Sequence, residues 1–262
     1  MFVNVKKNTI SFGFFVILLT FNFFTSCKST SSYQITKIEG KKIGITNEKG
    51  EDETILSYVK PYKDAIDKDL SSVLAYCPET QDKSKGKWQT NIGNLLAEIT
   101  FELGNPVFQK RENKNLDICL LNHGGIRAMI PKGDVTTRTA FEVMPFENSL
   151  IIVGLSGKEI RTLAEYILKE KKPHPLYGIK IFINKETSKI NRIEINNQPL
   201  DDNRIYYVGT SDYLANGGDN MTFFKESSIK FDMDYKLRNM LIDYFKKVDT
   251  IPNITTEKII LE

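Results

Sequence analysis

Three short segments of this 262-residue chain carry residue types whose spacing suits chemistry. In Asn122-His123-Gly124-Gly125-Ile126-Arg127, the glycine pair lets the backbone take φ > 0 and come close to a ligand, while Asn122 and Arg127 offer an amide and a planar guanidinium fork within one turn. In the segment from Tyr213 through Asn216-Gly217-Gly218-Asp219, one aromatic face can stack on a planar group and the carboxylate can accept hydrogen bonds from vicinal hydroxyls. Met144-Pro145-Phe146-Glu147-Asn148 sets a second aromatic beside a proline, just ahead of a strand-like run. Each feature alone has an ordinary structural explanation: a Gly-Gly turn, an Asn-Gly hairpin, a Pro-Phe core plug.

The elements around them alternate between strand and helix patterns. Tyr33 to Thr46 reads as two short strands about Gly40. Ile55, Val59, Tyr62, Ile66, Leu70 and Val73 recur at helical spacing, with Pro61 expected to kink that helix or mark its start. Asp82 to Lys87 is a loop, and Thr90 or Asn91 caps a second helix with Ile92, Leu95, Leu96, Ile99 and Leu103 on one face, stopped at Gly104. The apolar run Leu116 to Leu121 feeds straight into the Asn122 motif. Ser149 to Gly154 is a further strand, followed by a capping box of Ser156 and Glu159 that opens a third helix. Strands at 179–184, 190–196 and 205–209 follow, and a last helix carries Leu237, Met240, Leu241, Tyr244 and Phe245 in register. The expectation is a mixed α/β or α+β single domain.

Residues 1–26 read as an export signal: Lys6 and Lys7, then an apolar stretch from Phe12 to Phe24. At about 13 residues it is too short to span a hydrocarbon core as a permanent helix. The Phe24-Thr25-Ser26-Cys27 end resembles a bacterial lipoprotein signal, which implies acylation of Cys27, a tether over residues 27–33 and a folded domain from 34 to 262 in the cell envelope, periplasmic or surface-facing. Without residues 1–26 the chain holds 34 basic and 33 acidic residues, a net of +1. That balance gives no electrostatic footprint for nucleic acid. Of the remaining cysteines, Cys119 reads as buried core, and a Cys77–Cys119 disulfide is left open.

The motifs at 122–128, 133–136, 141–150, 155–160 and 211–219, in that order, resemble the C-terminal domain of the 5′-nucleotidase and UDP-sugar hydrolase family. The resemblance covers roughly residue 34 to the end. It implies a single four-layer α/β/β/α domain that binds the nucleoside part of a substrate. Phe146 and Tyr213 would sandwich the base, Asp219 would hold ribose hydroxyls, and Asn122 and Arg127 would reach base and phosphate groups. Gly124, Gly125, Asn216, Gly217 and Gly218 complete the implied binding set. A second phosphate contact would have to come from Lys85, Lys87, Trp88 or Gln89.

Family members hydrolyse phosphate esters in a separate N-terminal metallophosphoesterase domain with two metals. The chain has two histidines, His123 and His174, and lacks the Asp-x-His and Gly-Asn-His patterns of such a site. No catalytic residue and no metal ligand is therefore assigned here. His123 belongs to the nucleoside motif, and His174, between two prolines, reads as a surface loop residue. The expected role is the nucleotide-recognition part of a 5′-nucleotidase-type phosphohydrolase, working with a separately encoded metallophosphoesterase that carries the divalent metals. The alternative is a stand-alone nucleotide-binding lipoprotein, a sensor or scavenger without catalysis.

Overall fold

A computed structural model describes residues 14–15, 34–46 and 50–262, so most of the export signal, with Cys27, lies outside the described residues. The chain divides into a unit ending at Asp52 and a compact unit from Glu53 to Glu262. Within the first unit, residues 34–46 form no strand, against the expectation of a strand pair about Gly40. Ile35, Ile38, Ile43 and Ile45 all face solvent there, and a strand pair that buries no apolar face has little to hold it.

The compact unit opens with helix α1 (Glu53–Leu70). Pro61 lies inside this helix rather than starting it, and none of its residues is buried. An ion pair of 2.6 Å between Asp67 and Arg138 ties it to the body. Val73, expected to extend the helix, instead begins strand β1 (Val73–Cys77). Helix α2 (Asn91–Glu112) is capped by Thr90, whose hydroxyl accepts from the Gly93 N–H at 3.1 Å. It does not stop at Gly104 but runs through Gly104 and Pro106 to a left-handed cap at Asn113. The glycine serves close packing: a Cβ at Gly104 would lie 2.7 Å from Leu150 Cδ2.

Strand β2 (Ile118–Leu120) is followed by β3 (Gly133–Thr136), which pairs with β1, and by helix α3 (Thr137–Val143). Strand β4 (Ser149–Ser156) leads into helix α4 (Gly157–Glu170) through the expected capping box, with the Ser156 N–H donating to Glu159 Oε2 at 2.7 Å. Then come β5 (Leu176–Tyr177), β6 (Ile179–Ile183), β7 (Ile190–Ile195), β8 (Gln198–Pro199) and β9 (Ile205–Ser211). The short helices α5 (Asp212–Ala215) and α6 (Thr222–Lys225), strand β10 (Lys230–Lys236), helix α7 (Leu237–Lys247) and strand β11 (Ile259–Leu261) complete the unit.

The central sheet has the order β10-β4-β9-β2-β5, and a second sheet the order β11-β6-β7-β8. One core lies between a face of the central sheet and helices α2 and α7, with Leu95, Ile99, Phe108, Leu150, Ile152, Met240 and Phe245 buried together. The other joins Leu120, Val153 and Val208 to α4 through Ile160, Leu163 and Ile167, and to the second sheet through Ile181, Ile193 and Ile195. This is a mixed α/β fold, as the alternating sequence pattern predicts. Cys77 and Cys119 are both buried free thiols, and Cys119 sits in the core.

Gly178 alone separates β5 in the central sheet from β6 in the second. It takes φ +80°, and a Cβ there would lie 2.1 Å from the Asp117 carbonyl oxygen, which is backbone and cannot yield. Gly178→Ala combines left-handed strain with overpacking and is expected to cost about 2 kcal/mol or more, lowering the melting temperature by roughly 4–8 °C in a thermal scan. An unchanged melting temperature would contradict this sheet-to-sheet crossing.

Candidate functional site

The register of the central sheet brings the three motif segments together. β2 and β9 are parallel neighbours, so the Asn122 turn and the Tyr213–Asp219 segment leave the sheet at the same edge. β4 runs antiparallel to β9 with Leu150 opposite Ser211, so the Phe146–Asn148 segment enters at that edge too. The carboxyl ends of parallel strands are where open α/β sheets hold ligands. Here they frame a cavity of about 390 Å³ lined by Asn122, Gly124, Gly125, Arg127, Phe146, Asn148, Tyr213 and Asp219.

Phe146 and Tyr213 are 44% and 47% exposed, so both rings are open to the cavity that they line. The Asp219 carboxylate lies at the centre of the polar contacts. Its Oδ2 accepts from Asn122 Nδ2 at 2.8 Å, and its Oδ1 accepts from the Tyr213 hydroxyl at 2.9 Å. Arg127 folds along its own turn, donating from Nη1 to the Gly124 carbonyl at 3.3 Å, and its guanidinium stands 5.9 Å from the Phe146 ring centroid.

The glycines act differently from expectation. Gly124 and Gly125 are not in left-handed backbone; they form a 3₁₀ turn with His123. What they supply is room, since a Cβ at Gly125 would lie 2.7 Å from Asn122 Oδ1. Left-handed backbone falls instead on Gly217, at φ +91°, and on Asp219 and Asn220, at 51° and 61°. Asn216, Gly217 and Gly218 do not line the cavity but make the turn that aims Asp219. Gly218 lies flat under the Tyr213 ring, where a Cβ would come within 2.5 Å of it.

Several participants escape the sequence reading. Asn148 lines the cavity, and its place two residues after Phe146 was the available signal. Buried Arg238 braces the Phe146 segment, donating to the Pro145 carbonyl at 3.1 Å and to Glu147, with its guanidinium 4.1 Å from the Phe141 ring centroid. Lys236 adds a bond to the Glu147 carbonyl at 2.9 Å. Nothing local marks α7 as the source of such a brace. Lys85, Lys87, Trp88 and Gln89 do not line the cavity; Lys83 instead reaches the Ile126 carbonyl at 2.5 Å, beside Arg127. His174 is no surface residue. It is 3% exposed, and its Nδ1 accepts from the His123 backbone N–H at 3.3 Å. Burial pushes its pKa down to about 4, and burial likewise lowers that of His123.

The sequence matches the family described as 5′-nucleotidase, C-terminal domain, over residues 71–226. The chain belongs to that family. It is 29% identical over 182 residues to the trifunctional nucleotide phosphoesterase protein YfkN of Bacillus subtilis, covering 61% of this chain and 11% of that protein. It is 24% identical over 197 residues to protein UshA of Escherichia coli, covering 71% of this chain and 33% of UshA. Among solved structures, the 5′-nucleotidase precursor from Thermus thermophilus matches with a TM-score of 0.65 and 26% identity, over 80% of this chain and 42% of that one. The chain thus spans less than half the length of these relatives, and the family membership establishes a nucleotide-related domain.

Because His174 stays neutral when folded but titrates near its ordinary value when unfolded, the unfolded chain binds more protons between those values. Stability is therefore full above pH 6.5 and falls as pH drops toward 4, by up to about 1.4 kcal/mol per pH unit. In urea titrations at pH 7.5 and 5, His174→Gln should lose less stability on acidification than the parent chain; equal losses would contradict the buried, neutral imidazole.

Proposed function

We propose that this domain recognises the nucleoside part of a nucleotide, with the base between Phe146 and Tyr213 and the ribose hydroxyls on Asp219. The observation that carries the reading is the convergence of two half-exposed aromatic rings, a carboxylate and a guanidinium on one cavity at the carboxyl edge of the sheet. A cavity of about 390 Å³ is of the size that encloses one small ligand. Either aromatic face supports stacking on any base, so selectivity falls to the polar groups. Asn148 stands at the wall with an amide that can donate and accept toward a base edge. Arg127 can swing from its own turn to a phosphate without breaking a buried ion pair.

The whole enzyme's chemistry is assigned to a separate metallophosphoesterase chain, which would hold the divalent metals and the attacking water. The match is to a C-terminal domain and covers less than half of each relative, which supports a recognition role for these residues. Anchoring through an acylated Cys27 would keep the recognition domain in the cell envelope; Cys27→Ala should move the chain from the membrane fraction to the soluble one.

Base–aromatic stacking is worth roughly 1–3 kcal/mol per base, so Phe146→Ala or Tyr213→Ala should weaken nucleoside binding by about 5-fold to 150-fold in calorimetric titration. Unchanged affinity in both variants would sink the reading. Asp219→Asn should cost adenosine affinity more than 2′-deoxyadenosine affinity, and equal losses would remove the hydroxyl role. Phosphate release from AMP should require the partner chain; release by this chain alone with Mn²⁺ would overturn the division of labour, and nucleotide binding with no active partner would favour the stand-alone lipoprotein.

A further inference from the structure

Asp219 is held by more than its neighbours in the cavity. Its backbone sits at φ 51°, followed by Asn220 at 61°, the left-handed region that Asp and Asn enter more readily than other side-chain-bearing residues. Two phenol groups brace this turn. The Tyr213 hydroxyl accepts from the Asp219 N–H at 3.2 Å and donates to Oδ1 at 2.9 Å, closing a ring between the backbone and the carboxylate of the same residue. From the other side, the hydroxyl of Tyr166 on helix α4 donates to the Asp219 carbonyl at 2.7 Å. Tyr166 does not line the cavity. Its ring is set by an edge contact to Phe223 at 5.8 Å and a tilted contact to His174 at 5.9 Å, both between ring centroids. Burial, then the carboxylates of Glu170 and Asp219, push its pKa up to about 12, so it remains a donor at any physiological pH.

We propose that Tyr166 is a positioning residue for sugar-hydroxyl recognition, which with the Tyr213 hydroxyl fixes the rotation of the left-handed Asp219 turn so that its carboxylate keeps free lone pairs toward the cavity. This rests on the reading of Asp219 as the acceptor of ribose hydroxyls. A carboxylate has about four acceptor sites, and Asn122 and Tyr213 use one on each oxygen. One site per oxygen therefore remains, which matches the two hydroxyls of a ribose, provided that the carboxylate does not rotate. Tyr166 acts on the peptide carbonyl and not on the carboxylate, so it controls aim without consuming an acceptor. The arrangement also gives Tyr213 two separable roles, a ring that stacks and a hydroxyl that orients.

The test compares dissociation constants for adenosine and 2′,3′-dideoxyadenosine in the parent chain, Tyr166→Phe and Tyr213→Phe by isothermal titration calorimetry. The parent should prefer adenosine. In Tyr166→Phe, adenosine should bind roughly 3- to 10-fold more weakly while dideoxyadenosine stays within about 2-fold, so the preference collapses. Tyr213→Phe, which retains the stacking ring, should narrow the same ratio. A preference kept intact in Tyr166→Phe, or equal weakening of both ligands, overturns the positioning role while leaving the binding site standing. A parent chain that binds neither ligand, or both equally, overturns the reading of Asp219 and the inference with it.

Discussion

One hydrogen bond, from Asn122 Nδ2 to Asp219 Oδ2 at 2.8 Å, joins two turns that lie 97 residues apart in the chain. Each turn leaves the carboxyl end of one of two adjacent parallel strands, and each taken alone would be an ordinary glycine-rich loop. The bond needs the close approach that Gly125 permits on one side and the left-handed backbone of Asp219 on the other. Asn122 and Tyr213 thereby specify where negative charge stands in the cavity, and the positions of both aromatic rings and of Arg127 acquire meaning relative to it.

The two walls of the cavity are held by different parts of the fold. The Tyr213 wall rests on the Gly217-Gly218 turn and is tied to α4 through Tyr166. The Phe146 wall is clamped from the far end of the chain by Lys236 and Arg238. Arg238 is nearly buried, and removing one partner of a buried charge is far more damaging than removing an exposed pair. The β4–β9 register sets the spacing between these walls, so the hydrophobic core on both sides of the central sheet controls the shape of the cavity.

Much of this organisation is legible in the amino-acid sequence where the signals are local. The cap at Thr90, the capping box at Ser156 and Glu159, and the buried run before Asn122 depend on residues within a few positions of one another, and each forms as expected. Gly104 and Pro61 mislead for the opposite reason: as breakers they suggest ends, but tertiary packing of Gly104 against Leu150 and continuation of α1 through Pro61 override the local preference. His174 reads as exposed because prolines flank it, yet it is buried beside His123, a contact across 51 residues of sequence. Arg238, Lys236 and Tyr166 carry no local mark, since their contacts to the site span 53 to 93 residues of sequence. The residues that touch the cavity form motifs, whereas the residues that support it are dispersed.

Phe146, Tyr213, Asp219 and Arg127 line one cavity at the carboxyl edge of the central sheet, and the proposed nucleoside site rests on that convergence. The most direct test is a crystal structure of the chain soaked with adenosine. The base should lie between Phe146 and Tyr213 with both ribose hydroxyls on Asp219. Adenosine bound elsewhere, or placed in this cavity with its ribose turned away from Asp219, would contradict nucleoside recognition as described.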